Sequence, residues 1–128
     1  LRITVVGFCF GGHAAVLAAT LADVQVSLDF YGAGVSRGRP GGGAPSLELL
    51  PSVHGELHCL CGSIDPLIPS SEQQAIQAAL QTEDPTGLRL RYSAFEGADH
   101  GFMCEARDQY HQPSAQEGWR LLLEAAQS

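Results

Sequence analysis

Apolar and polar positions divide this chain into two kinds of segment. Short β-branched runs that are apolar on both faces fit strands inside a parallel sheet, and stretches with apolar positions three and four apart fit helices. LRITVV, Leu1 to Val6, is the first expected strand, and GGHAAVLAATLA after it reads as a helix whose small residues let it lie close on the sheet. VQVSLDFYG, Val24 to Gly32, is the second strand. The following AGVSRGRPGGGAPSLELL holds too much glycine and proline for long regular structure, so a mobile surface loop is expected up to Pro51. Its triple glycine lacks the Gly-Lys-Ser/Thr that would make it a phosphate loop.

The third strand is LHCLCG, Leu57 to Gly62, followed by the loop SIDPLIP. A helix is expected from about Ser71 to Gln81, capped by Ser70 or Ser71, with Ala75, Ile76, Ala79 and Leu80 on one face. LRLRYSAF, Leu88 to Phe95, alternates apolar and polar residues as an edge strand does. After the loop EGADHGF, a last helix starts at Pro113 or Ser114 and turns Trp119, Leu122 and Leu123 toward the core. The order is β-α-β-loop-β-α-β-loop-α, an α/β fold with about four parallel strands and flanking helices. Right-handed crossovers would place the functional loops at the carboxyl ends of the strands.

Length and composition narrow the reading further. With 128 residues, 45% of them hydrophobic, the chain suits one globular domain spanning 1–128. The formal charge is −7 and no basic run occurs, which argues against nucleic acid and anionic membranes as partners. No apolar stretch is long enough to span a bilayer. Four cysteines without the dense spacing of a secreted scaffold fit reduced thiols and a cytoplasmic location.

The chemistry concentrates in three loops. GFCFGG, Gly7 to Gly12, has the pattern Gly-x-nucleophile-x-Gly, with cysteine where serine is usual. Such a turn brings the residues two before and two after the nucleophile together, so Gly7 and Gly11 are both expected to need the absence of a side chain. The Cys9 sulfur would stand at a helix N-terminus that favours a thiolate, with the Phe10 N–H aimed at an oxyanion. On its own, Cys9 fits a buried core cysteine equally well. Asp65 alone reads as an aspartate favoured before proline in a turn, and His100 alone as a surface histidine. Together, nucleophile, acid and histidine follow three separate strands in the order of an α/β-hydrolase triad.

These residues, with FYG at Phe30 to Gly32, GSIDPLIP at Gly62 to Pro69, HGF at His100 to Phe102, Tyr110 and Trp119, resemble the dienelactone hydrolase family. The resemblance implies an α/β-hydrolase fold with Cys9 as nucleophile, Asp65 as orienting acid, His100 as general base and Tyr31 lining the pocket. It implies opening of an enol-lactone or small carboxylic ester through an acyl-thioester, with no metal or organic cofactor. Family members are about twice this long, so a carboxyl-terminal portion is expected, lacking the first part of the sheet and a second oxyanion donor. Loss of one such donor costs about a hundredfold to a thousandfold in rate, and weak activity of the isolated chain is the expectation. The Leu1 to Val6 strand would then present an unpaired edge that invites association.

Other readings stand beside this one. Asp29 is a second candidate acid, or else a polar residue near the site mouth; Asp99 adjoins His100 too closely to orient its ring. Cys9 with Cys104 would suit a thiol redox sensor or an interaction domain. Zinc at His54, His58, Cys59 and Cys61 lacks the spacing of a common module, and the two sulfurs of one strand would point together into the core. An amidotransferase-like elbow would need a His-x-Glu stretch, which HGF does not supply.

Overall fold

A computed structural model of the chain describes residues 2–127; Leu1, the first residue of the expected opening strand, lies outside them. The strands are β1 (Ile3–Phe8), β2 (Val24–Phe30), β3 (Glu56–Gly62) and β4 (Leu90–Phe95), and the helices are α1 (Phe10–Ala18), α2 (Ser70–Glu83) and α3 (Gln112–Gln127). All neighbouring strands pair in parallel, in the order β1-β2-β3-β4. Each parallel connection returns the chain to the starting end of the sheet. The segments leaving the four strands therefore gather at one end, and they carry Cys9, Tyr31, Asp65 and His100.

Side chains alternate across the sheet, and both faces are covered. From β2, Ser27 Oγ donates to the Ala15 carbonyl of α1 at 2.5 Å, while Phe30, on the other face, packs against Gly118 of α3. Leu28, Phe30, Leu57, Leu60, Ile76 and Leu80 are fully buried, and Cys59 and Cys61 join the same core with their thiols free. Among the described residues β1 pairs on one side only, with β2, and so occupies a sheet edge.

Several expectations are corrected. The stretch before β3 is anchored along much of its length, because Val35 and Ser46 are fully buried and residues Ser46–Ser52 form a 3-10 helix. His13 of α1 fastens it, with Nδ1 2.9 Å from the Ala33 carbonyl and Nε2 2.6 Å from Ser46 Oγ. Helix α2 is capped by Pro69 without a side-chain bond, and neither Ser70 nor Ser71 acts as the cap. Strand β4 starts at Leu90 because the Asp84 carboxylate accepts the N–H groups of Arg89 and Leu90 at 2.8 and 3.0 Å, holding the preceding residues in a turn.

The largest difference is in α3, which buries Ser114, Ala115 and Gly118, while Trp119 and Leu123 remain about half exposed. Small residues face the sheet there because the helix comes too close for large ones. A methyl group on Gly118 would crowd the Met103 sulfur and the Phe30 ring.

The turn from β1 into α1 is closer still. A methyl group on Gly7 would overlap the Gly11 carbonyl, whereas one on Gly11 would meet open space. Only the first of these glycines is required by contact; Gly11 contributes its backbone. A Gly7→Ala substitution is therefore expected to destabilise the fold by about 1–3 kcal/mol or more. Gly38→Ala, whose added methyl meets nothing, should change stability by less than about 0.5 kcal/mol. Urea unfolding of the two variants beside the parent chain measures the difference.

Candidate active site

Cys9 is the residue at which β1 becomes α1. Its backbone has φ 58° and ψ −124°, a conformation that side chains of L-residues rarely adopt. Three backbone bonds hold it there. Its own N–H donates to the Phe30 carbonyl at 3.1 Å, and its carbonyl accepts from Gly12 and His13 at 2.9 and 3.4 Å. The N–H groups of Phe10 and Gly11, in the first turn of α1, have no acceptor among the described residues. The helix end thus keeps free donors beside the sulfur.

His100 and Asp65 form the second part of the site. His100 Nδ1 lies 2.8 Å from Asp65 Oδ2, and the Asp65 side chain is completely buried. A carboxylate only accepts, so Nδ1 carries the proton and Nε2 is left as the basic nitrogen. The other Asp65 oxygen accepts the Leu67 N–H at 2.8 Å, which fixes the carboxylate plane. Asp99 accepts the backbone N–H of His100 at 2.5 Å, in keeping with a loop role. Asp29, the other candidate acid, is fully buried beneath the turn and not at the site mouth.

Tyr31 connects the parts. It follows β2 with φ 45°, and its ring meets the His100 ring edge-on at a centroid distance of 5.2 Å. It also lines, with Cys9, a cleft of about 370 Å³. Burial pushes its phenol up to about 12, so the hydroxyl stays protonated. The cleft is completed by Phe8, Gly101, Met103, Cys104, Arg107 and Trp119. The sequence pattern placed Trp119 in the core and the family resemblance included it, but neither put it in the cleft, and Arg107 was missed although it lies on the loop that carries His100, before α3. No ion pair holds Arg107 among the described residues.

The electrostatics of Cys9 differ from the sequence-based expectation of a favoured thiolate. Burial is the largest influence and pushes its thiol upward; Arg107 opposes this, while Asp65 and Cys104 add to it. Partial removal of the sulfur from water outweighs the nearby cation. The resting residue is a thiol, and ionising it requires a base.

Three of the four residues considered for zinc are used otherwise, while His54 is exposed. His58 Nε2 is 2.7 Å from Ser93 Oγ, and burial with the nearby Arg91 lowers the His58 pKa to about 4. Cys59 and Cys61 lie in the core, as two residues of one strand face should. Among the described residues, no helix is long and apolar enough to cross a membrane.

Comparison with known proteins shows the family and the fold. The "Putative carboxymethylenebutenolidase" of Synechocystis sp. is 32% identical over 127 residues, covering 99% of this chain and 50% of that protein. The "Probable 2-oxo-3-(5-oxofuran-2-ylidene)propanoate lactonase" of Bradyrhizobium sp. is 29% identical over 123 residues, 95% of this chain and 48% of that protein. In fold, the chain is similar to the crystal structure of a "Putative Dienelactone Hydrolase" from Klebsiella pneumoniae, with a TM-score of 0.84 at 24% identity, covering 95% of this chain and 50% of that one. The chain spans about half the length of the curated relatives it matches. Its four-stranded parallel sheet with flanking helices accounts for half of an α/β-hydrolase-like fold, and the model of the dienelactone hydrolase family matches residues 1–127. By this match, which covers nearly the whole chain, the chain belongs to the dienelactone hydrolase family.

Proposed function

We propose that this chain carries the nucleophile, base and orienting acid of a hydrolase that opens lactones or small carboxylic esters. The observation that carries the reading is the His100–Asp65 pair, 2.8 Å apart with Asp65 buried, at the sheet end that also holds Cys9 in its strained turn. The lactonase name of the Bradyrhizobium relative supports a cyclic ester as substrate.

The steps follow from the groups present. His100 Nε2 takes the proton of Cys9, and the thiolate attacks the substrate carbonyl carbon. The carbonyl oxygen becomes an oxyanion, with the free Phe10 N–H as donor. Collapse breaks the carbon–oxygen ester bond; the departing oxygen takes the proton from His100, leaving an acyl-thioester on Cys9. Water then gives its proton to Nε2 as its oxygen attacks the thioester carbonyl, and the sulfur leaves and is reprotonated. Asp65 holds the ring in the required tautomer throughout. No step as written uses a metal or organic cofactor. Within the cleft, Arg107 favours a substrate bearing negative charge.

Two outcomes are expected. With p-nitrophenyl acetate, Cys9→Ala should reduce hydrolysis to the buffer background, and His100→Asn should slow acyl transfer to Cys9 by about a hundredfold to ten-thousandfold. Release of p-nitrophenol and mass spectrometry of the acylated chain measure both; hydrolysis that survives Cys9→Ala would overturn the reading.

The second concerns pH. The thiolate is the species that reacts with iodoacetamide, and a raised Cys9 pKa means less of it at any given pH. Alkylation of Cys9 should still be accelerating at pH 9.0, the ordinary thiol value. Arg107→Gln removes the influence that lowers this pKa, so the profile should move further upward and alkylation at pH 8 should slow several-fold. A plateau below pH 8 in the parent chain, or an unchanged profile in the variant, would contradict this account.

A further inference from the structure

We propose that Asp29 is a positioning residue whose buried carboxyl locks the turn carrying Tyr31 onto the first turn of α1, and so sets Tyr31 against His100 beside Cys9. This rests on the reading of Cys9 and His100 as the reacting pair.

Asp29 stands where three segments converge. In the sheet it lies between Gly7 of β1 and Cys59 of β3. Its Oδ1 accepts the Gly32 N–H at 2.8 Å, closing a turn around Phe30 and Tyr31. The Phe30 carbonyl in that turn receives the N–H of Cys9, and Tyr31, at φ 45°, turns its ring to the cleft. On the α1 side, a methyl group on either Gly12 or Gly32 would run into the same Asp29 oxygen. One carboxyl group therefore spaces both turns that border the sulfur.

A group so placed cannot replace Asp65 as the acid, because His100 Nδ1 is already bonded to Asp65. It acts at one remove, through Tyr31, whose ring touches His100. The carboxyl needs no charge for this task. Burial raises its pKa to about 7, against the Gly32 N–H and the Cys59 thiol, which favour the anion, and Glu72 of α2, which adds to the rise. Cys61, also on β3, is influenced by the same carboxyl. Charged or neutral, the side chain still presents an oxygen to Gly32. A neutral amide of the same shape should therefore serve nearly as well, and an alkyl group should not.

The test compares Asp29→Asn, Asp29→Ala and Asp29→Ser in the full chain. The readouts are the NMR signals of the His100 ring nitrogens and protons, the rate of Cys9 alkylation, and acyl transfer from p-nitrophenyl acetate. Asp29→Asn is expected to keep the His100 signals and to hold both rates within about twofold of the parent. Asp29→Ala should shift the His100 signals, through lost contact with the Tyr31 ring, and lower the acyl-transfer rate about tenfold to a hundredfold with substrate affinity little changed. Should the alanine variant fail to fold, Asp29→Ser, whose hydroxyl reaches less far toward Gly32, should show the same changes to a smaller degree. Unchanged His100 signals in a folded Ala or Ser variant would overturn the proposal, as would an Asn variant as impaired as the others. The hydrolase reading is judged separately by Cys9→Ala, since the His100 signals report on Asp29 whether or not Cys9 attacks esters.

Discussion

Backbone meets backbone around Cys9 with almost no space between, and the rest of the site depends on that contact. The Gly7 α-carbon lies against the Gly11 carbonyl, and Gly12 lies against the Phe30 carbonyl, the Gly32 N–H and the Asp29 carboxyl. Such contacts force the chain to reverse from strand to helix within one residue. That residue takes up the strain, with φ 58°. A side chain on so sharp a bend is lifted out of the sheet instead of into it, which is why Cys9 stays partly accessible while Cys59 and Cys61, on a regular strand, are sealed.

Topology supplies the other half of the arrangement. In a sheet where every pairing is parallel, residues far apart in sequence reach the same end simply by following their own strands. Asp65 and His100 meet across 35 positions in this way. Their contact then separates the roles of the two ring nitrogens, and the buried carboxylate is secured by a backbone N–H as well as by the ring. The sulfur rests as a thiol because partial burial outweighs Arg107, and the cleft beside it is walled largely by Phe8, Tyr31, Met103 and Trp119.

Where sequence patterns misled, distance was the missing quantity. Helical spacing placed Trp119 and Leu123 on a buried face, yet the closeness of α3 to Met103 and Phe30 gives that face to Gly118 and Ala115. Glycine and proline between Gly32 and Pro51 suggested mobility, but Val35 packs into the core and His13 bonds Ser46, contacts between elements that no local pattern reveals. The same limit applied to the elbow glycines. Both fit the pattern, and only the coordinates distinguish Gly7, which is crowded, from Gly11, which is open.

What the sequence determined by itself was the succession of strands and helices, and the residues that follow three of the strands: cysteine, aspartate and histidine. Those follow from side-chain periodicity and turn chemistry, which act over a few neighbouring residues. Only the tertiary structure decided which of two aspartates holds His100, that Arg107 and Trp119 wall the cleft, and that burial keeps Cys9 protonated. These depend on contacts and desolvation between segments distant along the chain, quantities that exist only once the sheet has brought its four ends together.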